Sequence, residues 1–239
     1  MTPLSRQARL AGLLYVAASV VGVVRLMYVP KALIVSGNGS VTAANIAAHE
    51  SLFRFGIVCN LVGATLWLFV PLALYRLLKG VDQTLATLMV ILGAVMQVPL
   101  FFVNTATDVA ALLFARGGDL VAAFDQPQRD AFVLLFLDVH HSIDLANAIF
   151  WGLWLIPFGI LVYRSRFFPR FLGVWVIAAC FGWLAFSVTG FLFPAYEDKA
   201  FTYGQPLMIG ELVMMLWLVV MGAREPRSMG SIDSPAARP

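Results

Sequence analysis

Nine residues, Phe136-Leu137-Asp138-Val139-His140-His141-Ser142-Ile143-Asp144, concentrate the chemistry of this chain. They place two carboxylates and two imidazoles in surroundings that are otherwise apolar. An ionisable group inside a membrane-spanning segment is costly and marks a functional site by default. On a helix, His140, Asp144, Asn147 and Trp151 recur at i, i+4, i+7 and i+11 and form one stripe. Asp138 and His141, at i and i+3, share a different face. Each face therefore sets an acid beside an imidazole, which fixes a tautomer or holds a proton.

Several chemistries compete for these residues. His140 and Asp144 have a workable spacing for zinc or another first-row metal, and they are the two metal candidates. The HExxH signature of helical zinc sites is absent, so no metal or other cofactor is expected. Ser142 follows His141, but adjacent helical residues point about 100° apart and do not form a nucleophile–base pair. No G-x-S-x-G elbow occurs. An enzyme is therefore not the leading expectation. A membrane-embedded hydrolase using Asp138 and His140, with or without a metal, is the alternative. A further alternative is that the charges only pair with one another and fix helix register. The leading reading is binding or sensing of a small molecule or lipid, with proton coupling through His140 and Asp138.

The elements that must carry these residues follow from composition. The chain has 239 residues, 61% hydrophobic and 12% charged, against about 25% charged in ordinary soluble domains. Too few charges remain to coat a soluble globule, which points to an all-α, polytopic membrane bundle. No sustained period-two alternation suggests barrel strands. Apolar runs at roughly 9–29, 51–78, 84–115, 131–163, 171–193 and 206–222 predict six transmembrane helices. The first is read as a retained helix, since no small-residue cleavage site follows it. Cys59 and Cys180 both lie in apolar runs, so no disulfide framework is expected.

The basic residues gather in the connections near 79–83 and 164–170 and at the two ends, which predicts cytoplasmic termini in a bacterial inner membrane. With a net charge of +3 so distributed, no nucleic-acid partner is expected. Loops are expected at 30–50, 116–130 and 194–205, with a short interfacial helix over Thr42 to Glu50. The tail from Glu225 onward is expected to be disordered. Pro71, Pro99 and Pro157 are candidates to kink their helices.

Counting a rise of about 1.5 Å per residue from the basic end, Asp144 lies about 30 Å from Arg164 and Arg54 about 33 Å from Arg76. Arg25 lies about 24 Å from Arg9, and Glu211 about 20 Å from Arg224. The expectation is one polar layer, open to the outside, holding the ligand-binding candidates Arg25, Arg54, Asp108, Asp138, His140, His141, Asp144 and Glu211. Its two arginines suit an anionic headgroup or carboxylate. The expected partners are thus membrane lipid and a small amphiphile or anionic ligand; oligomeric state is left open.

The ordered pieces Ala8-Arg9-Leu10-Ala11-Gly12-Leu13-Leu14-Tyr15, Glu50-Ser51-Leu52-Phe53-Arg54-Phe55-Gly56-Ile57 and Ala73-Leu74-Tyr75-Arg76-Leu77-Leu78-Lys79 are followed by Leu135-Phe136-Leu137-Asp138-Val139-His140. Then come Tyr163-Arg164-Ser165, Phe168-Pro169-Arg170-Phe171-Leu172-Gly173 and Gly210-Glu211-Leu212. Together they resemble a bacterial integral membrane family called domain of unknown function 4386, over about residues 8 to 222. The resemblance implies a single polytopic unit and brings no assigned activity. It marks Arg54, Asp138, His140 and Glu211 as family-pattern residues, and leaves His141 and Asp144 outside the pattern.

Overall fold

A computed structural model of the chain describes residues 2–224. Among the described residues, six helices are long and apolar enough to cross a membrane: α1 (Pro3–Leu33), α3 (Glu50–Leu78), α4 (Gln83–Arg116), α5 (Gln126–Ser165), α6 (Arg170–Leu192) and α7 (Pro194–Val220). The short helix α2 (Gly39–Ala48) lies between α1 and α3. No strand occurs among the described residues. The protein is a multi-pass membrane protein. The expectation for the tail from Glu225 falls outside the described residues.

Local chemistry sets the helix starts. The Thr2 hydroxyl accepts from Ser5 N at 3.3 Å, with Pro3 in the first turn, where its missing N–H costs nothing. Asp125 and Gln128 form a reciprocal capping box at the start of α5. Asn38 accepts from Val41 N at 3.1 Å and opens α2 three residues before the expected Thr42 start. The expected loop over 194–205 is helical instead, and α7 begins at Pro194. Glu197 and Asp198 in its first α-helical turn complement the helix dipole. Hydropathy is blind to these polar turns, so it placed the start of α7 about three turns late.

Each spanning helix packs against its neighbours in the chain, and α7 returns to pack on α1, so the bundle is a closed ring. Within α5, 61% of the most apolar stretch is buried, against 28–39% in the other five helices. It is the innermost helix. The α5–α6 contact depends on glycine. A Cβ at Gly159 would stand 2.6 Å from the Gly173 carbonyl oxygen, and one at Gly173 would stand 2.6 Å from that of Gly159. Such small residues let membrane helices approach backbone to backbone.

Two apolar clusters fill the bundle. The larger lies toward the end that carries both termini and centres on Tyr15, Leu74, Met89, Trp154, Phe158 and Leu172. The smaller lies toward the other end, hereafter the loop end, and joins Val29, Leu33, Ile46, Phe53, Leu112 and Leu137. Helix α2 supplies Ala43 and Ile46 to it and packs on α4 and α5, so α2 is a lid on the bundle rather than a free surface helix.

Two segments depart from α geometry to π geometry, Val24–Tyr28 in α1 and Ile91–Val95 in α4. The second precedes Pro99, which cannot donate to the Val95 carbonyl. Its exposed backbone oxygens are taken by side chains: Trp67 donates to Gly93 O at 2.7 Å and Gln97 to Leu92 O at 3.1 Å. Pro157 likewise cannot donate to Leu153, and the α5 ladder is interrupted at Trp154. Pro71 sits within a continuous α3.

Candidate functional site

The π segment of α1 carries Arg25, and π-bulges recur at functional sites because they re-aim side chains. Arg25 is 6% exposed. Its Nη2 lies 3.1 Å from both Asp144 carboxylate oxygens and also donates to His140 Nε2. His140 Nδ1 lies 2.7 Å from Asp108 Oδ1 on α4, and its Nε2 lies 3.4 Å from Asp144 Oδ2. Asn104, one turn before Asp108, donates to Asp144 Oδ1 at 2.7 Å. Three helices thus contribute one guanidinium, two carboxylates and one imidazole to a single cluster. Arg25 also stands over the Phe101 ring at 5.9 Å.

Charge and valence define what this cluster can do. A neutral His140 donates from Nδ1 to Asp108 and accepts at Nε2 from Arg25. A doubly protonated His140 has no lone pair for Arg25 and instead donates from Nε2 to Asp144. With the proton the four side chains sum to zero charge; without it they sum to minus one. Burial makes that difference matter, since a buried net charge is costly.

Three buried polar atoms here have no hydrogen-bond partner among the described residues: Arg25 Nε, Arg25 Nη1 and Asn104 Oδ1. Two donors and one acceptor are therefore unspent. The cluster is closed toward the loop end by Val29, Leu112 and Leu137, each about one helical turn from a cluster residue. The residual side-chain exposure belongs to His140 at 16%, Asp144 at 12% and Asp108 at 11%.

The other candidates lie elsewhere. Arg54 pairs with Glu50 on its own helix at 2.6 Å, and Arg116 joins the same carboxylate at 3.2 Å. His141 meets Glu197 of α7 at 3.0 Å. Asp138 is exposed and makes no ion pair among the described residues. The Ser142 hydroxyl donates back to the Asp138 carbonyl at 2.9 Å. Glu211 accepts from the Tyr15 hydroxyl and, at 3.1 Å, from the Trp183 indole. It lies in the middle of α7, not at a helix start, because α7 begins so much earlier. Tyr15 and Trp67 stack edge to face at 5.4 Å beside it.

The eight candidates therefore separate into one cluster of four (Arg25, Asp108, His140 and Asp144) and four residues with other surroundings. Asn104 and Thr107 complete the cluster, Thr107 with its hydroxyl 3.5 Å from His140 Nδ1. The sequence signal for Asn104 was its i, i+4 spacing from Asp108. Among the described residues, no three His, Cys, Asp or Glu side chains are grouped so as to hold a metal ion. Asp108 and Asp144 address different nitrogens of the His140 ring, so the acids do not converge on one point.

An 88-residue stretch is 31% identical to an uncharacterized protein of Archaeoglobus fulgidus, covering 37% of this chain and 51% of that relative. The chain thus spans about half the length of the curated relative it matches. No solved structure matches. A family model described as a domain of unknown function, DUF4386, matches residues 10–222, nearly the whole spanning bundle. The chain belongs to the DUF4386 family.

Proposed function

We propose that this is a bacterial inner-membrane protein, cytoplasmic at both termini, that binds and senses a small molecule or lipid at the Arg25–Asp108–His140–Asp144 cluster. Occupancy is coupled to a proton on His140. One observation carries the reading: His140 faces a carboxylate from each ring nitrogen while Arg25 competes for one of them. Gaining a proton exchanges the Arg25–His140 contact for a His140–Asp144 contact, and so frees guanidinium donors.

The unspent donors of Arg25 and acceptor of Asn104 supply the polar complement for a ligand. With both ends of the cluster flanked by apolar residues, the ligand enters through the bundle wall, which favours an amphiphile or lipid over a soluble ion. Two carboxylates disfavour a multiply charged anion, and a single anionic or polar headgroup fits the charge balance better. Asp138, exposed on another face, is replaced in this reading by Asp108 and Asp144 as the proton's partners.

The test is native mass spectrometry of the full chain extracted from its host membranes at about pH 5 and about pH 8, the range over which His titrates. A retained low-mass species whose occupancy changes between the two conditions is expected. That change should flatten in His140→Gln and persist in His141→Gln, and the species should be lost in Arg25→Gln. A chain that retains nothing ends the binding reading. Occupancy that His140→Gln leaves equally pH-dependent ends the coupling.

A further inference from the structure

A second polar feature lies at the opposite end of the bundle. An open groove of about 540 Å³ is lined by Gln7 of α1, Tyr75, Arg76 and Lys79 at the end of α3, and Gln83 at the start of α4. Leu4, Leu77 and Phe167 provide its apolar floor, and Gly80 leaves its rim without a side chain. Arg76 and Lys79 are exposed and make no ion pair among the described residues. Lys79 Nζ stands over the Tyr75 ring at 5.9 Å. The surrounding charge is one-sided. Across the described segments 2–9, 76–83, 163–170 and 221–224, eight Arg or Lys residues stand against one carboxylate, Asp82. That carboxylate is already engaged by Leu85 N at 3.0 Å and Arg164 at 3.4 Å.

We propose that this groove holds the phosphate of an anionic membrane lipid. The groove lies where two spanning helices leave the apolar layer, at the depth of lipid headgroups. Two cations without acids, beside amide and phenol donors, match the acceptor-rich, negatively charged phosphate. Leu4, Leu77 and Phe167 join the apolar core of the bundle beneath the groove, so its floor offers apolar contact beside the cations. Arg76 and Lys79 also complement the C-terminal dipole of α3, but that role is indifferent to the lipid present. The site is separate from the Arg25 cluster and does not depend on it.

The experiment is native mass spectrometry of the detergent-purified full chain titrated with phosphatidylglycerol or with phosphatidylethanolamine. Phosphatidylglycerol should be retained preferentially. Near an anionic surface each Lys or Arg is worth about 1 kcal/mol, or about fivefold in binding. Arg76→Gln and Lys79→Gln should each reduce retention about fivefold, and the double variant about 25-fold. Arg116→Gln, which removes the same charge at the loop end, should leave it unchanged. The Arg76→Lys, Lys79→Arg pair should keep it. Equal losses in Arg116→Gln would reduce the effect to net charge and overturn the site. Displacement of the lipid by equimolar inorganic phosphate would assign the groove to a soluble anion instead. Undiminished retention in Lys79→Gln, or in the double variant if it folds, would also overturn the proposal.

Discussion

Replacing Asp144 by Asn removes one charge from the cluster and almost no volume. The Asp144 carboxylate meets Arg25 Nη2 at 3.1 Å from each oxygen, Asn104 at 2.7 Å and His140 at 3.4 Å. The side chains of Arg25 and Asp144 are 5% and 12% exposed, so little solvent screens the loss. An Asn amide keeps one acceptor and turns a donor toward Arg25 or His140. Breaking a buried pair from one side costs about 3–5 kcal/mol, here because Arg25 loses the one carboxylate it meets directly among the described residues. Asp144→Asn should therefore destabilise the bundle by about 3 kcal/mol or more. Arg25→Gln should cost a similar amount, and the double variant much less than the sum. Equilibrium unfolding in mixed micelles, run as a double-mutant cycle, measures the coupling. Neutral hydrogen bonds between membrane helices average about 0.6 kcal/mol and reach about 1.7. A coupling above that range is expected. A loss below about 1 kcal/mol for Asp144→Asn, or a coupling near the neutral average, would refute the charge pairing.

The other expectations contrast close contacts with open ones. Gly159→Ala puts a Cβ 2.6 Å from the Gly173 carbonyl, a backbone atom that cannot turn aside, and should cost about 1–3 kcal/mol in thermal unfolding. Gly22→Ala meets nothing within 4 Å among the described residues and should cost nothing by the same measurement. Arg54→Gln, whose side chain is 53% exposed, should change stability by less than about 0.5 kcal/mol.

What the sequence disclosed was uneven, for physical reasons. Membrane helices announce themselves because a bilayer forbids long polar runs, and the segments at 51–78 and 84–115 lie within one residue of α3 and α4. The start of α7 was invisible because its first turns are polar and helical at once. Helical spacing correctly divided His140 and Asp144 from Asp138 and His141, since periodicity fixes a face. Rise along the axis fixes a depth, but depth and face do not say which helices adjoin. Arg54 and Glu211 have depths compatible with the layer and yet belong to other neighbours. The π segment that aims Arg25 inward has no signature in the sequence, and neither does the lid that α2 forms over the cluster.

Ring closure has a consequence for biogenesis. Of the joints around the ring, the one between α1 and α7 has no connecting loop, and α7 follows the other five described spanning helices out of the ribosome. Until it arrives, the Tyr15 hydroxyl of α1 has no Glu211 to receive its hydrogen bond. Glu211 in turn carries a carboxylate into the bilayer, where acceptance depends on docking between Tyr15 and the Trp183 indole of α6. Docking of α7 and satisfaction of the Tyr15 hydroxyl on α1 thus go together. The acid that closes the ring, Glu211, rides on the last of the described spanning helices.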